Sequence, residues 1–440
     1  MIRSLGILGI ILLSLGFIFV KPPIGVLMWT WVSVMNPHRL TYGFIYNFPV
    51  AYIIGLATIA GWLLSKEPKK IPFTPLTGLL ITYILWVTFT SVVAVYDDPW
   101  SKWTVFIKIQ IFAFVTLALM NTPNRLKALI WMNVLCLGYF ALKGGAFTIL
   151  SGGSSRVWGP PGSFIADNNQ LALAFVMTMP LLRYLQMEAK DKRLKWAMSG
   201  AMLLWLLAIM GTQSRGAFVA MGCMLVFLWI KSKQKFYTGL VALFAVGAAL
   251  LFMPASWHQR METIQDYNED ASFMGRVVMW EFALDVVHDR PITGGGFDVF
   301  YDQGLRDRYL KPGEEGRAVH NIYFEVLGEH GYVGLLLFLS LGVTAFFTCS
   351  RILRQTSKRP DLFWANRLAA MLQVCLVGYA INGLTLNLAT FDLYYTVLII
   401  ITILRLQVSR ILAGAPYAPP QAIEMEKKGW APEGVVTTRS

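Results

Sequence analysis

The chain has 440 residues, of which 56% are hydrophobic and only 14% are charged, and its mean hydropathy is +0.54. In soluble proteins about a quarter of the residues are charged, so this composition excludes a cytosolic enzyme, a secreted disulfide scaffold and a disordered protein. An integral membrane protein is the class that remains.

Apolar runs long enough to cross about 30 Å of hydrocarbon recur along the chain. A shorter run at 24–36 follows Pro22-Pro23 and is expected to be a broken or re-entrant piece. No small-residue cleavage site follows the first run, which we therefore keep as a helix. We predict an all-α polytopic membrane protein with about twelve transmembrane helices, at about 5–20, 45–64, 75–95, 103–120, 126–143, 168–186, 195–211, 215–231, 236–253, 329–349, 364–384 and 390–408.

The net charge of +13 comes from short basic clusters between the apolar runs, which fits membrane topology rather than nucleic-acid binding. Five alternate loops hold 16 Lys and Arg residues, and these loops are expected to be cytoplasmic. They lie at about 66–70, 125–127, 190–195, 231–235 and 351–359.

The same alternation divides the chain into regions. Residues 1–253 are expected to hold nine or ten membrane helices and a smaller outer loop near 144–167. Residues 254–328 form a large, partly helical outer loop whose main part, up to 320, holds 12 of the 25 acidic residues. Residues 329–410 are predicted to be C-terminal membrane helices, and 411–440 a disordered cytoplasmic tail.

Several kinds of chemistry have no motif in this chain. The four cysteines lie far apart within apolar runs, without CxxC spacing or a nearby histidine. There is no HExxH, GxSxG or P-loop motif, and no Asp-x-Asp pair to hold a metal on a sugar nucleotide. We therefore expect no metal and no cofactor.

Two arginines on the outer side are candidate anion ligands. Arg215 lies between two apolar runs, next to Gly216. Arginine is disfavoured on the outer side of the membrane, so its presence there points to a role in anion binding. A lone arginine at a membrane boundary also serves as an anchor to the headgroups. Arg276 is expected at the start of a surface helix, 275–287, where helix-start amides would add to its pull on an anion. The alternative is a solvated surface arginine.

The third candidate is His320, which with Asn321 stands where the large loop re-enters the membrane. A neutral imidazole near pH 7 is able to take a proton from a hydroxyl. A single histidine at an interface is also commonly structural. In the predicted surface helix that precedes it, Trp280 and Phe282 are interpreted as membrane-surface residues, with Pro291 and the glycines 294–296 closing the helix.

The smaller outer loop combines a cation, aromatic rings and amides, from Arg156 to Asn169. Such mixtures bind sugars, but a turn-rich loop in which Asp167 or Asn168 caps the next helix explains the pattern equally. Together, cationic arginines and one base suit displacement of a phosphate leaving group by a hydroxyl. A lipid or solute transporter is the alternative from another class. It should carry ionisable residues at mid-membrane, and only Lys108 lies clearly inside a predicted span.

Four segments resemble the O-antigen ligase and polymerase superfamily of bacterial inner membranes. The resemblance covers about residues 150–340, and the histidine, asparagine and glutamate at the loop-to-helix junction are its most specific feature. The segments are RVWGPPGSFIADNNQLALA, SRGAFVA, GRVVMWEFALDVVHDRPITGGGFDVF and HNIYFEVLGEHGYVGLLLFL.

The resemblance implies a multi-pass protein of the Gram-negative inner membrane with its active site facing the periplasm. Such an enzyme moves a glycan from undecaprenyl pyrophosphate to an acceptor hydroxyl, in ligases a sugar of the lipid A-core. In this family the residue matching His320 activates the acceptor, and those matching Arg215 and Arg276 hold the donor pyrophosphate. Glycan or acceptor binding by Arg156, Asn169, Gly295 and Asn321 is a weaker implication. An O-antigen polymerase and a protein O-glycosylation ligase stay open as alternatives.

Overall fold

A computed structural model describes residues 2–232, 234–262, 271–314 and 316–414. Within these ranges the regular structure is helical, with no strand. The α-helices are α1 (Ile2–Val20), α2 (Pro23–Thr30), α3 (Val50–Leu64), α4 (Pro75–Val92), α5 (Trp100–Leu119), α6 (Pro123–Leu150), α7 (Asn168–Glu188), α8 (Lys192–Gly211), α9 (Arg215–Lys231), α10 (Lys235–Phe252), α11 (Ala255–Glu262), α12 (Ala271–Asp289), α13 (Gln303–Tyr309), α14 (Ile322–Thr356), α15 (Phe363–Asn382) and α16 (Asp392–Leu412).

Each of the twelve predicted spans coincides with one of these helices, so the all-α polytopic class is confirmed. In the described part of the chain, nine helices are long and apolar enough to cross a membrane. The three others are α3 and α9, with 15 and 17 residues, and α7. Helix α7 has 16 of its 21 residues buried among its neighbours, so its polar side chains face protein rather than lipid.

The segment 24–36, which was expected to be a broken or re-entrant piece, is a broken helix. Helix α2 continues through a π-helical turn, Trp31–Met35, and ends at Asn36, whose φ is 49°. Ser4 at the start of α1 donates a hydrogen bond to the carbonyl of Tyr42, and Gly61 near the end of α3 packs on the backbone of Ile18. Helices α1 and α3 therefore run in the same direction, and α2 with its π turn crosses back between them.

The loops of the described chain fall on two faces. On one, which we call the basic face, Arg125 pairs with Glu67, and Arg367 with Glu188. The opposite face, called the loop face, holds residues 36–49, 93–99, 151–167, 212–214, 253–262, 271–314, 316–321 and 383–391. This arrangement agrees with the alternation predicted from the basic clusters. The assignment of the loop face to the periplasm stays a prediction.

Helix α6 is longer than predicted, since it continues through Gly144 and Gly145 to Leu150. The two glycines allow α6 to approach α8, because a side chain on Gly145 would collide with the backbone of Leu204. The smaller loop on the loop face therefore begins at 151, not at 144. Lys143 consequently lies inside α6, so a second lysine besides Lys108 lies within a membrane-spanning helix.

The other ends of the predicted regions also move. Helix α14 begins at Ile322, six residues before the predicted end of the large loop, and is kinked at Gly331 (φ 68°). Helix α16 runs to Leu412, and the remainder of the predicted tail, 415–440, lies outside the described residues.

Part of the large loop folds around its own small core, so the interpretation of Trp280 and Phe282 as membrane-surface residues is wrong. Phe282 is 1% exposed and packs against Phe300 within this core. The indole of Trp280 donates a hydrogen bond to the carbonyl of Val319 and stacks on Phe324, with ring centroids 5.3 Å apart. The apolar side of α12 is covered by protein, which periodicity alone does not distinguish from a membrane surface.

Candidate active site

His320 is held at the junction of the large loop and α14. The side-chain oxygen of Asn321 accepts hydrogen bonds from the backbone N–H groups of Tyr323 (2.9 Å) and Phe324 (3.3 Å) and so caps α14. On the other side, Val319 is buried and held by Trp280. Asn321 thus acts as a cap that fixes the position of its neighbour, and its predicted contact with glycan or acceptor is untested.

The backbone of His320 is strained. Its φ is 47°, in the left-handed region that few residues other than glycine adopt. Strain of this kind costs about 1–3 kcal/mol and persists only where the surroundings impose it, most commonly at functional sites. The Asn321 cap and the Val319 anchor hold the residues on either side of His320 in place.

Two charged residues, Arg276 and Asp167, act on the pKa of His320. Burial of the imidazole is the main cause that lowers the pKa of His320 below its usual 6.5, and the nearby Arg276 guanidinium lowers this pKa further. The carboxylate of Asp167 acts in the opposite direction. The imidazole is therefore neutral near pH 7, which is the form that accepts a proton. Arg276 and Asp167 both lie close enough to His320 to act on its charge.

The predicted position of Arg276 at a helix start is wrong. Helix α12 extends back at least to Ala271, so Arg276 lies in its second turn, away from the free amides of a helix start. Arg276 is half-buried, and its effect on His320 comes from its own charge.

Arg215 is the first residue of α9, where the hydroxyl of Ser214 caps the helix by accepting a hydrogen bond from the N–H of Ala217. The preceding residue, Gln213, is a second strained position, with φ 54°. Its side chain accepts a hydrogen bond from Arg156 (3.3 Å) and donates to the carbonyl of Gly153 (3.2 Å). The structure thus joins Arg156 to the segment that carries Arg215.

Asn169 lies in the first turn of α7, beside Asp167. The carboxylate of Asp167 caps the helix by accepting from the backbone N–H of Asn169 (2.8 Å), and the Asn169 amide donates to the same oxygen (2.9 Å). Asn168 donates to the carbonyl of Thr212, three residues before Arg215. The predicted cap is confirmed, and Asn169 holds the carboxylate whose charge raises the pKa of His320.

The starts of α9 and α14 are brought together by the turn 383–385. Gly216 packs against Thr385 so closely that no side chain would fit, and Gly383 packs against Ile322 in the same way. Ile322 stands two residues after His320. The starts of α7, α9 and α14 consequently meet on the loop face, and Arg156, Asn169, Arg215, Arg276, His320 and Asn321 belong to this region.

Gly295 belongs to a different part of the fold. It is buried against Val286 and Val299, its N–H donates to the carbonyl of Gly328, and its own carbonyl accepts from Val95. These contacts hold the glycine turn against the kink of α14. Its predicted role in glycan binding has no contact to support it among the described residues.

A buried ionic cluster beneath the site escaped the sequence analysis. The ammonium of Lys102, at the start of α5, donates to Glu325 (2.9 Å) and Glu329 (2.7 Å) and lies 3.6 Å from Asp298. Both glutamate side chains are 2% exposed. Glu325 also accepts from the N–H of Ala389, so the cluster ties α14 to α5 and to the 383–391 loop. The available signal was a pair of acidic residues four apart, on one face of an apolar helix.

His330 lies beside this cluster and not in the site. Its Nδ1 is 2.7 Å from the hydroxyl of Thr90, and its ring packs edge-on against Phe297. Among the described residues, no group of three or more His, Cys, Asp or Glu is arranged to hold a metal ion.

Comparison with known proteins places this site within a family. The profile of the family described as O-Antigen ligase matches residues 200–339, the region that contains Arg215, Arg276 and His320. This match covers about a third of the chain and supports its similarity to the O-antigen ligase and polymerase superfamily. A second profile, of a family of unknown function (DUF5935), matches residues 2–190, which include Arg156 and Asn169.

Among curated proteins, the chain is similar to "Exopolysaccharide production protein ExoQ" of Rhizobium meliloti (strain 1021). The two are 26% identical over 137 residues, which are 30% of this chain and 31% of that protein. The chain therefore matches about a third of the length of this curated relative.

Proposed function

We propose that the protein is an O-antigen ligase, a glycosyltransferase that moves a glycan from undecaprenyl pyrophosphate to a hydroxyl of the lipid A-core at the periplasmic face of the Gram-negative inner membrane. The observation that carries this proposal is a histidine with a strained backbone, within the family's matched region, whose pKa is lowered by burial and by the charge of nearby Arg276. An imidazole in that state suits a general base, and the adjacent guanidinium suits the charge of a phosphate.

The loop face supplies the groups for the donor. Arg215 and Arg276 neutralise the pyrophosphate, as guanidinium forks do with phosphate oxygens. The starts of α7, α9 and α14 meet in the same region, and helix starts favour negative charge. These groups stabilise the negative charge that develops on the leaving pyrophosphate, and losing one such donor costs on the order of 3 kcal/mol.

His320 takes the proton of the acceptor hydroxyl while the acceptor oxygen forms a bond to the anomeric carbon. The bond from that carbon to the pyrophosphate oxygen breaks, and undecaprenyl pyrophosphate leaves with the electron pair. Attack opposite the leaving group inverts the anomeric carbon. A positioned base of this kind contributes about 10²- to 10⁴-fold to the rate.

A polymerase reaction is the second candidate, favoured by the similarity to a protein of exopolysaccharide production. A polymerase would use a second lipid-linked glycan as acceptor, and a protein O-glycosylation ligase would use a protein hydroxyl. The size and the carrier of the product distinguish them. A ladder of lengths on gels indicates polymerisation, a single addition to lipid A-core indicates ligation, and a labelled protein indicates the third reaction.

The first experiment is reconstitution of the purified protein with lipid-linked glycan and lipid A-core in the presence of EDTA. We expect transfer to continue, because the proposed mechanism uses protein groups alone. Transfer that stops with EDTA and returns with an added metal would refute this mechanism.

Two substitutions test the assigned roles in the same assay. His320→Ala should abolish transfer while leaving folded protein, and near-normal transfer by this variant would show that the base is another group. Arg276→Lys should transfer more slowly than wild type, because lysine keeps the charge but lacks the two-pronged hydrogen bonding of the guanidinium. Arg317→Lys, a change at an exposed arginine in the same loop, is the matched control and should transfer normally.

A further inference from the structure

A cavity of about 550 Å³ opens on the loop-face side of the helices, outside the candidate active site. This volume is within the range of small-molecule sites, about 300–1,000 Å³. Its walls come from the α2 and π-helical segment, the 36–39 turn, α3, α5, α6, α7 and the start of α16. Residues 162–164 and Gln170 also line it, so one segment borders the cavity and carries Asp167 of the candidate site.

The charged groups of the cavity carry a net positive charge. Arg39 and Lys108 line it together with one carboxylate, Asp392. The Arg39 guanidinium is held in place by a hydrogen bond to Asn47 (3.1 Å) and lies 4.8 Å from the ring centroid of Tyr46. Two cations and one carboxylate leave a single positive charge, which matches a phosphodiester monoanion.

His38 adds an unused hydrogen-bonding atom. The residue is 8% exposed and lines the cavity, and its Nδ1 has no hydrogen-bond partner among the described residues. A buried polar atom without a partner is costly, so its presence in a cavity wall indicates a ligand that supplies the bond.

Lys108 connects the cavity to the membrane. It stands eight residues into α5, about 12 Å from the start of the helix at 1.5 Å per residue. Ionisable residues at such depth are costly and face functional cavities by preference. Val105, one turn earlier, lines the cavity and is 39% exposed, so the cavity opens sideways along α5. Trp29 and Phe112 stack on each other at 4.0 Å and form an apolar wall.

We propose that this cavity binds the phosphorylated headgroup of an anionic membrane lipid, with Lys108 and Arg39 as phosphate ligands and the acyl chains leaving along α5. Basic pockets between membrane helices are the usual sites for such headgroups. A neutral sugar would leave the lysine charge uncompensated, whereas a lipid phosphate compensates it and keeps an apolar tail in the bilayer. The cavity and its charges support this proposal without reference to the glycosyl-transfer reaction.

The test measures lipid binding to the purified full-length protein in detergent. Native mass spectrometry during titration with phosphatidylglycerol should show one tight adduct, bound more tightly than zwitterionic phosphatidylcholine. Lys108→Gln should weaken this adduct by about ten-fold or more, as expected for loss of a charge-assisted phosphate contact. Lys143→Gln is the matched control, because Lys143 is exposed, lies about 10 Å inside α6 from the same face and does not line the cavity. Arg39→Gln should reproduce the loss.

A crosslinking measurement locates the bound lipid. A benzophenone amino acid in place of Val105 should label phosphatidylglycerol, whereas one in place of Leu142, which is 41% exposed on α6, should label it far less. Equal binding by wild type and Lys108→Gln, or equal losses in Lys108→Gln and Lys143→Gln, would overturn the proposal. Displacement of the lipid by millimolar inorganic phosphate would show a simple anion site and would also overturn it. Both measurements are independent of transfer activity.

Discussion

Replacing Lys102 with methionine is expected to destabilise the protein by about 3–5 kcal/mol, the usual cost of removing one partner from a buried ionic group. Lys102 holds the carboxylates of Glu325 and Glu329 at 2.9 and 2.7 Å, and both side chains are 2% exposed. Methionine has a similar length and keeps the packing of the lysine stem. The change therefore leaves two carboxylates buried together without their cation.

The buried cysteines provide the assay. Cys136, Cys349 and Cys375 are buried, so a thiol-reactive dye reports their exposure as the protein unfolds on heating in detergent. Lys102→Met should unfold at a clearly lower temperature than wild type. Lys143→Met, at an exposed lysine within α6, should leave the midpoint almost unchanged. Equal midpoints for these two variants would refute the view that the Lys102 cluster stabilises the fold.

A double substitution identifies the cause. If the loss in Lys102→Met comes from unpaired carboxylates, adding Glu329→Gln should recover part of it, because one buried charge disappears. The coupling between the two positions should be about 0.5–3 kcal/mol, as for residues in one ionic network. Strictly additive effects would show that the two side chains act independently.

Three further predictions concern the junction at His320 and the kink of α14. The acid limb of kcat/KM should lie below pH 6.5, because the base works unprotonated and its pKa is lowered. Asp167→Asn, which keeps the helix cap, should move that limb to lower pH, because the carboxylate raises this pKa; a limb that stays in place would contradict the contact. Asn321→Ala removes the helix cap, so it should cost about 1 kcal/mol of stability in the thermal assay and should lower kcat in the transfer assay. Asn321→Asp, which keeps a capping oxygen, should recover both the stability and kcat. Gly331→Ala should cost about 1–3 kcal/mol of stability because the φ of Gly331 is 68°. Gly200→Ala is the control, since Gly200 lies in open space within α8, and it should gain up to about 1 kcal/mol. Equal thermal midpoints for these two variants would contradict the left-handed backbone at the α14 kink.

The helices could be predicted from the sequence because hydropathy is a local property that the bilayer imposes on each segment separately. The errors arise where another helix, and not lipid, surrounds the segment. Gly144 and Gly145 suggest a loop, yet they continue α6 because α8 approaches closely at that point. The segment 24–36 is short and broken by a π turn, and only its contacts with α1 and α3 show that it crosses back.

The candidate site was partly predictable for a related reason. Arg215 interrupts apolar sequence at a helix start, and His320 lies where the polar loop meets the next apolar run, so both positions are visible in the sequence alone. The partners of Lys102 lie 223 and 227 residues further along the chain, and no local pattern joins residues at that distance. Trp280 illustrates the same limit, since an apolar helix face packs equally well on a membrane and on protein.

The site draws on both matched regions of the chain. Arg276 and His320 lie within residues 200–339, whereas Asp167, whose carboxylate raises the pKa of His320, lies within 2–190. In the proposed mechanism, residues 2–190 therefore contribute to the chemistry as well as to the membrane-spanning fold. Residues 162–164 and Gln170 line the proposed lipid cavity, and Asp167 lies between them in the chain, so one short segment links that cavity to the candidate site. Loss of lipid binding in Lys108→Gln with an unchanged pH profile would then show that the two sites work independently.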